Sequence, residues 1–316
     1  MPAHATKFYA GCVSRLAQSR APHADSAAWA KRNECLVSVP GNVLTLERCA
    51  ARLVDEPELP TMCRWIVYQG PELFLSRILL DPGHSLLAQS LQAREIEWPT
   101  NGDGFGIGWY DRREEPGVYR DVLPIWNDTN LLALAKQIES RLFFAHIRKS
   151  TAGAIQRTNC HPFAHGKWLF QHNGSIPDFD RLKQELYAQI DPELFGELSG
   201  STDSECMFLL ALSNGLKHDP VAGLAAMVKI VEQARQARGI VEPFHCTSAV
   251  SDGERTWAIR YSSAGTPRTL YYSTHRDALC DFESCNTKMP EGGILVASEP
   301  LGQVGGAWQQ VEPNSV

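Results

Sequence analysis

Met62-Cys63-Arg64-Trp65-Ile66-Val67-Tyr68 reads like a beginning, although it lies well inside a chain of 316 residues. A small nucleophile, Cys63, directly follows a methionine and runs at once into Arg64 to Tyr68, an apolar segment with the composition of a buried strand. Everything after it reads as one enzyme built to use that cysteine. Upstream, residues 1–61 mix Ala, Arg, His, Ser and Pro and hold no motif or internal repeat. One helix is expected there, from Asn42 to Val54, where Val43, Leu44, Leu46 and Leu53 recur near helical spacing before Pro57 and Pro60 break the chain. The expected division is an N-terminal extension, 1–61, and one domain, 62–316. Three origins of the extension are open: a start codon assigned too early, a propeptide whose removal frees Cys63, or a retained segment. A methionine immediately before the cysteine favours the first.

Downstream, the pattern alternates strands and helices without a βαβ repeat. Leu73 to Leu80 is expected to be helical and to end at Asp81-Pro82-Gly83. Asn101-Gly102-Asp103-Gly104-Phe105-Gly106 is a glycine-rich turn leading into a strand through Tyr110. No Gly-Lys-Ser/Thr and no helix follow, so it is neither a Walker loop nor a dinucleotide fingerprint. Its glycines let the backbone pass close to a ligand or a packed neighbour. Leu131 to Ser140, Arg181 to Ile190, Cys206 to Leu212 and Val221 to Ala237 read as helices. Arg141 to Ile147, Lys167 to Gln171, His245 to Ser251, Thr256 to Tyr261, Thr269 to Ser273 and Gly292 to Ala297 read as strands. Asp252-Gly253 between two apolar runs signals a hairpin. Strands at both ends with helices between them predict layered α+β.

Composition excludes several classes. A hydrophobic share of 43% and a charged share of 21% are ordinary for soluble globular proteins. No apolar run is long enough to span a bilayer, and residues 1–12 lack a secretory signal, so a cytoplasmic protein with no membrane contact is expected. A net charge of −6 with scattered basic residues leaves no footprint for nucleic acid. The nine cysteines contain no Cys-x-x-Cys pair, arguing against a disulfide framework or zinc site; most are expected reduced and many buried. No metal and no cofactor are expected.

Four polar residue sets sit at predicted element ends, where rigid scaffolds display chemistry: Cys63, Arg148, Asn173-Gly174 and Asp203. Singly, each has a structural explanation: a core thiol, a surface ion pair, a tight turn, a helix-capping acid. Together they fit a γ-glutamyl compound. Arg148 suits its α-carboxylate through a bidentate fork, and Asp203 suits its α-ammonium. The Asn173 amide and the Gly174 N–H suit a developing oxyanion, and Cys63 suits attack on the carbonyl. His146, His161 and His172 lie near these motifs, so a Cys–His pair is one source of a base. If Cys63 is a chain terminus, its own α-amine is another, with an ordinary pKa of about 7.7–8.0.

These residues resemble the class II, N-terminal-nucleophile glutamine amidotransferases. The resemblance runs through Met62-Cys63-Arg64, the Asn101–Gly106 turn with Trp109-Tyr110, and Phe144 to Arg148 with Ser150-Thr151. It continues through Thr158 to Phe163, Gln171 to Gly174 and Gly200 to Glu205. It covers most of residues 62–300, none of 1–61, and leans toward stand-alone members acting in glutathione degradation and ergothioneine biosynthesis. It departs from many synthase-type members at Ala152, where those often carry histidine. The resemblance implies a four-layer αββα sandwich of two antiparallel sheets, of the Ntn-hydrolase type. It implies Cys63 as nucleophile with its freed amine as base, and Asn173 and Gly174 as the oxyanion hole. Arg148 and Thr151 would hold the carboxylate, Asp203 the amine, and Gly106 would lie in the substrate pocket. The expected reaction is hydrolysis of a γ-glutamyl amide, of glutathione or a γ-glutamyl conjugate, through a thioester on Cys63. The alternatives are a glutaminase subunit feeding ammonia to a separate synthase, and a non-catalytic γ-glutamyl binder if residues 1–61 stay attached. A peptidase or synthase subunit is the kind of protein partner implied.

Overall fold

The computed structural model describes residues 63–94, 100–150, 153–282 and 287–316. Met62, Thr151 and the helix expected over Asn42 to Val54 lie outside them. The strands are β1 (Arg64–Phe74), β2 (Phe105–Tyr110), β3 (Gly117–Asp121), β4 (Glu139–Ile147), β5 (Phe163–His165) and β6 (Trp168–Ser175). They continue with β7 (His245–Ser251), β8 (Thr256–Ser262), β9 (Tyr271–Ser273), β10 (Ile294–Ala297) and β11 (Trp308–Gln310). The helices are α1 (Ser76–Leu79), α2 (Leu86–Leu91), α3 (Thr129–Leu134), α4 (Phe179–Tyr187), α5 (Pro192–Phe195), α6 (Asp203–Ser213) and α7 (Pro220–Ala237). Among the described residues, seven strands form one sheet in the order β11-β9-β10-β1-β4-β2-β3, and four form another in the order β5-β6-β7-β8. The strand pairs of both sheets are antiparallel.

The period-2 alternation of strand side chains sorts the apolar residues into three cores. On β1, Ile66 and Tyr68 join β4's Phe143 and Ala145 under α1, α2 and α3, with Ile78, Leu86 and Leu131. Their neighbours Trp65 and Val67, with Leu142 and Phe144 of β4, point the other way and meet Leu169 of β6 and Ala249 of β7. The far face of the four-stranded sheet carries Phe170, Cys246 and Val250 against α4, α6 and α7, with Leu182, Phe208 and Met227. Helices, sheet, sheet, helices: this is the four-layer α+β sandwich expected from the sequence.

Several elements differ from the sequence reading. Leu73 and Phe74, expected in a helix, extend β1, because its ladder with β4 resumes there after an irregularity past Gln69; only Ser76–Leu79 is helical. The helix expected over Leu131 to Ser140 starts earlier, where the Asp128 carboxylate accepts the Leu131 N–H at 2.9 Å, and it ends at Leu134. Ser140 already belongs to β4. Short strands β3, β5 and β11 carry too little alternation to be read; the five residues of β3 are all half-buried. The Asp252-Gly253 hairpin is present, with Asp252 accepting the N–H groups of Glu254 and Arg255 at 3.0 and 2.8 Å. Among the described residues, Cys63, Cys160, Cys206 and Cys246 are free thiols, whereas Cys280 is disulfide-bonded. No helix of the described residues is long and apolar enough to cross a membrane.

Candidate active site

The layer between the two sheets changes character along its length. At one end it is apolar, with Val67, Leu142, Phe144, Leu169 and Ala249. Two-residue steps along the same strands reach Cys63 from Trp65, His146 and Arg148 from Phe144, Gln171 and Asn173 from Leu169, and Thr247 from Ala249. The polar residues therefore share one face and one end of the sandwich. A cavity of about 450 Å³ opens there, and Cys63, Arg148, His161, His172, Gly174 and Asp203 are among its lining residues.

Cys63 immediately precedes β1 and is half-buried, whereas Cys160, Cys206 and Cys246 are buried. Its sulfur sits against the backbone of Lys149, 3.3 Å from the N–H and 3.4 Å from the carbonyl oxygen. Burial pushes its thiol pKa up. The Lys149 N–H and the charges of Arg148, Arg268 and Arg64 oppose that shift without cancelling it. The Cys63 carbonyl oxygen accepts from Asn173 Nδ2 and from Arg64 Nη1, both at 3.1 Å. The nucleophile's backbone is thus held from both faces of its strand.

Arg148 lies just beyond β4 and is 4% exposed, so its guanidinium is shielded where it meets the cavity. The turn carrying it is built by the glycine-rich segment. Arg148 N–H donates to Gly104 O at 2.8 Å, Asp103 N–H to Arg148 O at 3.1 Å, and Ser150 N–H to the Asp103 carboxylate at 2.8 Å. Asp203 opens α6. Thr202 caps that helix by accepting the Glu205 N–H at 3.2 Å, matching the hydroxyl-and-acid signature in the sequence. The Asp203 carboxylate accepts from Ile176 N–H at 2.9 Å and from the Ser204 hydroxyl at 3.2 Å, tying α6 to the end of β6. Gly174 has φ +150°, and a Cβ there would meet His245 O and stand 2.7 Å from His172 Nε2, so only glycine fits.

Gly106, expected in the substrate pocket, lies on the face of β2 that is turned toward the loop through His161. It is buried in β2 opposite His146, and a Cβ on it would meet the His161 carbonyl and stand 2.7 Å from Arg120 Cγ. It backs His161, which lines the cavity.

The histidines form a buried row. The rings of His146 and His161 stack with centroids 4.2 Å apart, and His146 Nε2 lies 3.2 Å from His172 O. Burial pushes the His146 pKa down to about 3 and that of His161 well below its ordinary value. His172 Nδ1 lies 2.9 Å from the Ser204 hydroxyl; burial lowers its pKa too, against the opposing charge of Asp203. Among the described residues the thiol's hydrogen bonds run to Lys149, and none to a histidine.

Sequence reasoning missed two groups. Arg64 lies on the helix-facing side of β1, where its Nε donates to Glu299 at 2.8 Å, and Glu299 also meets His84 Nε2 at 2.5 Å. Burial would raise the Glu299 pKa, but the His84 hydrogen bond and the Arg64 charge outweigh it and hold it at about 2. No local signal marks this trio, whose members lie 215 and 235 residues apart. The second is Asp103, legible only as part of a glycine-rich run.

Known proteins resemble this chain in sequence and in fold. The profile described as "Glutamine amidotransferases class-II" matches residues 80–316. The chain is 34% identical over 288 residues to the "Probable glutamine amidotransferase DUG3" of Saccharomyces cerevisiae, covering 81% of each chain. It is 32% identical over 157 residues to the "Gamma-glutamyl-hercynylcysteine sulfoxide hydrolase" of Mycolicibacterium smegmatis, covering 49% of this chain and 64% of that one. A solved glutamine aminotransferase class-II domain protein from Silicibacter pomeroyi superposes with a TM-score of 0.58 at 35% identity, over 79% of this chain and 92% of that one. Fold, matched profile and relatives converge, and the chain belongs to the class II glutamine amidotransferases.

Proposed function

We propose that this enzyme hydrolyses a γ-glutamyl amide bond through a γ-glutamyl thioester on Cys63. The observation that carries the reading is one cavity lined by a half-buried thiol, a buried guanidinium and a carboxylate, Cys63, Arg148 and Asp203. A glutamyl group presents the complementary set of reacting carbonyl, α-carboxylate and α-ammonium. The γ-glutamyl hydrolase of M. smegmatis among its relatives supports the same substrate class.

In this mechanism Arg148 binds the α-carboxylate and Asp203 the α-ammonium, which orients the γ-carbonyl over Cys63. The thiol proton passes to the α-amine of Cys63 as sulfur attacks carbon. The oxyanion forms against the Asn173 amide and the Gly174 N–H. The C–N bond breaks, the leaving amine takes the proton, and a thioester remains. Water, deprotonated by the same amine, attacks the thioester and releases glutamate and the free thiol. The α-amine is the base of choice because burial lowers the pKa of His146 and His161, which makes their rings weak proton acceptors, and the thiol bonds no histidine among the described residues. The mechanism therefore requires Cys63 to be a chain terminus in the working enzyme. Incubation of protein beginning at Cys63 with γ-glutamyl peptides and glutamine should release glutamate. No release from any of them, with or without a candidate partner subunit, rejects the proposal.

A further inference from the structure

One arginine near the nucleophile has no part in the mechanism above. Arg268 lies on the connection between β8 and β9, and its backbone is fixed firmly. Arg260 Nε donates to Arg268 O at 2.8 Å, and Arg260 Nη2 donates to Pro267 O at 3.2 Å. The next residue, Thr269, donates its hydroxyl to Ser298 O at 2.9 Å, and Ser298 N–H donates to Trp65 O at 3.0 Å. These links set Arg268 beside the start of β1, and two residues on, Leu270 packs into the core between the sheets. The Arg268 charge acts on Cys63, Arg64 and Asp203.

Arg260 uses its guanidinium on backbone carbonyls, whereas the Nε and Nη1 of Arg268 are buried with no hydrogen-bond partner among the described residues. The same holds for the hydroxyl of Thr247, which is fully buried directly across the ladder from Asn173. Buried donors left unpaired are costly, and a guanidinium more so than a hydroxyl. Such a group beside a reacting centre implies an acceptor that arrives with the substrate. The glutamyl moiety has one carboxylate, and Arg148 takes it. Ammonia, the leaving group of glutamine, carries no anion. The leaving amine of a γ-glutamyl amino acid or peptide does, within a few bonds of the scissile nitrogen.

We propose that Arg268, with the Thr247 hydroxyl across the ladder from Asn173, binds the carboxylate of the leaving group, so that the enzyme favours γ-glutamyl amino acids and peptides over glutamine. This inference rests on the γ-glutamyl hydrolase reading. Its test compares substrates that differ only at that carboxylate: γ-glutamylglycine against γ-glutamylglycinamide, and γ-glutamylcysteinylglycine against its C-terminal amide. The enzyme is the full chain purified from cells, its N-terminus read by intact mass. Glutamate release should show the acid preferred over the amide in kcat/KM by about 10- to 100-fold in at least one pair, the range for a charged hydrogen bond. Arg268→Met should bring that ratio close to one, and Arg268→Lys should restore part of it. Thr247→Val, a near-isosteric change, should lower the ratio less, and serves if Arg268→Met does not fold. Turnover with equal rates for acid and amide in both pairs overturns the subsite alone. A ratio unchanged in Arg268→Met also overturns it, and a parallel fall on acid and amide would mean that the arginine acts on the thiol instead. Absence of turnover on every compound overturns the hydrolase reading and the subsite with it.

Discussion

Arg148 and Asp203 hold opposite charges at the wall of one cavity, and the substrate reading stands on that pair. If Arg148 grips a carboxylate with both arms of its fork, a point charge is a poor substitute. Arg148→Lys should therefore lower kcat/KM for γ-glutamyl substrates by about 10- to 100-fold, measured as glutamate release, with the melting temperature little changed. Near-normal kinetics would show that the carboxylate binds elsewhere. The sequence made this residue visible because it ends a strand with a charge that a buried strand cannot easily carry. Glu299 was not visible in the same way. Its meaning comes from Arg64 and His84, which only the folded chain brings to it. With a folded-state pKa of about 2 against an ordinary 4.5, Glu299 contributes stability that is present above about pH 4.5 and lost as pH falls through 2. Glu299→Gln should cost about 3 kcal/mol at pH 7, and the deficit should shrink below pH 4.5, as read by denaturant unfolding across pH. A deficit independent of pH would contradict the assignment.

At the scale of elements, the site depends on how closely the loop through His161 approaches β2. Gly106 faces that loop with no side chain between them. Gly106→Ala should destabilise the fold by about 1–3 kcal/mol through overpacking, and should impair turnover by displacing His161. Unchanged stability in a urea melt would show that the loop gives way freely. The sequence marked the glycine-rich run as a place of close approach but not its target. The ladder explains why: Gly106 stands opposite His146, so its open face lies between the sheets, and the loop that follows the short helical turn Arg157–Asn159 fills it. Similarly, α6 was legible from Thr202, Asp203 and Glu205, because capping is local chemistry. The end of β1 was not, since Leu73 and Phe74 are committed by pairing with Ser140 and Glu139 far along the chain.

For the whole molecule, layering does the positioning. Two antiparallel sheets share an interior that is apolar at one end and polar at the other, and the polar end holds the thiol, guanidinium and amide on facing strands. Alternation along each strand was readable from sequence; which sheets face each other was not, because it depends on contacts between strands far apart in the chain. The buried neutral histidines add a molecule-wide pH response. His146 and His161 bind protons in the unfolded chain below about pH 6.5 but not in the fold, so stability falls as pH drops from 6.5 toward 3. His161→Phe should flatten that part of the profile of unfolding free energy against pH; an unaltered slope would mean that the ring is protonated in place. The central claim is that Cys63 forms the bond to the γ-glutamyl group, and glutamate release by Cys63→Ala tests it most directly. The account predicts a folded protein with release reduced to background; release at a rate near that of the parent enzyme would contradict it.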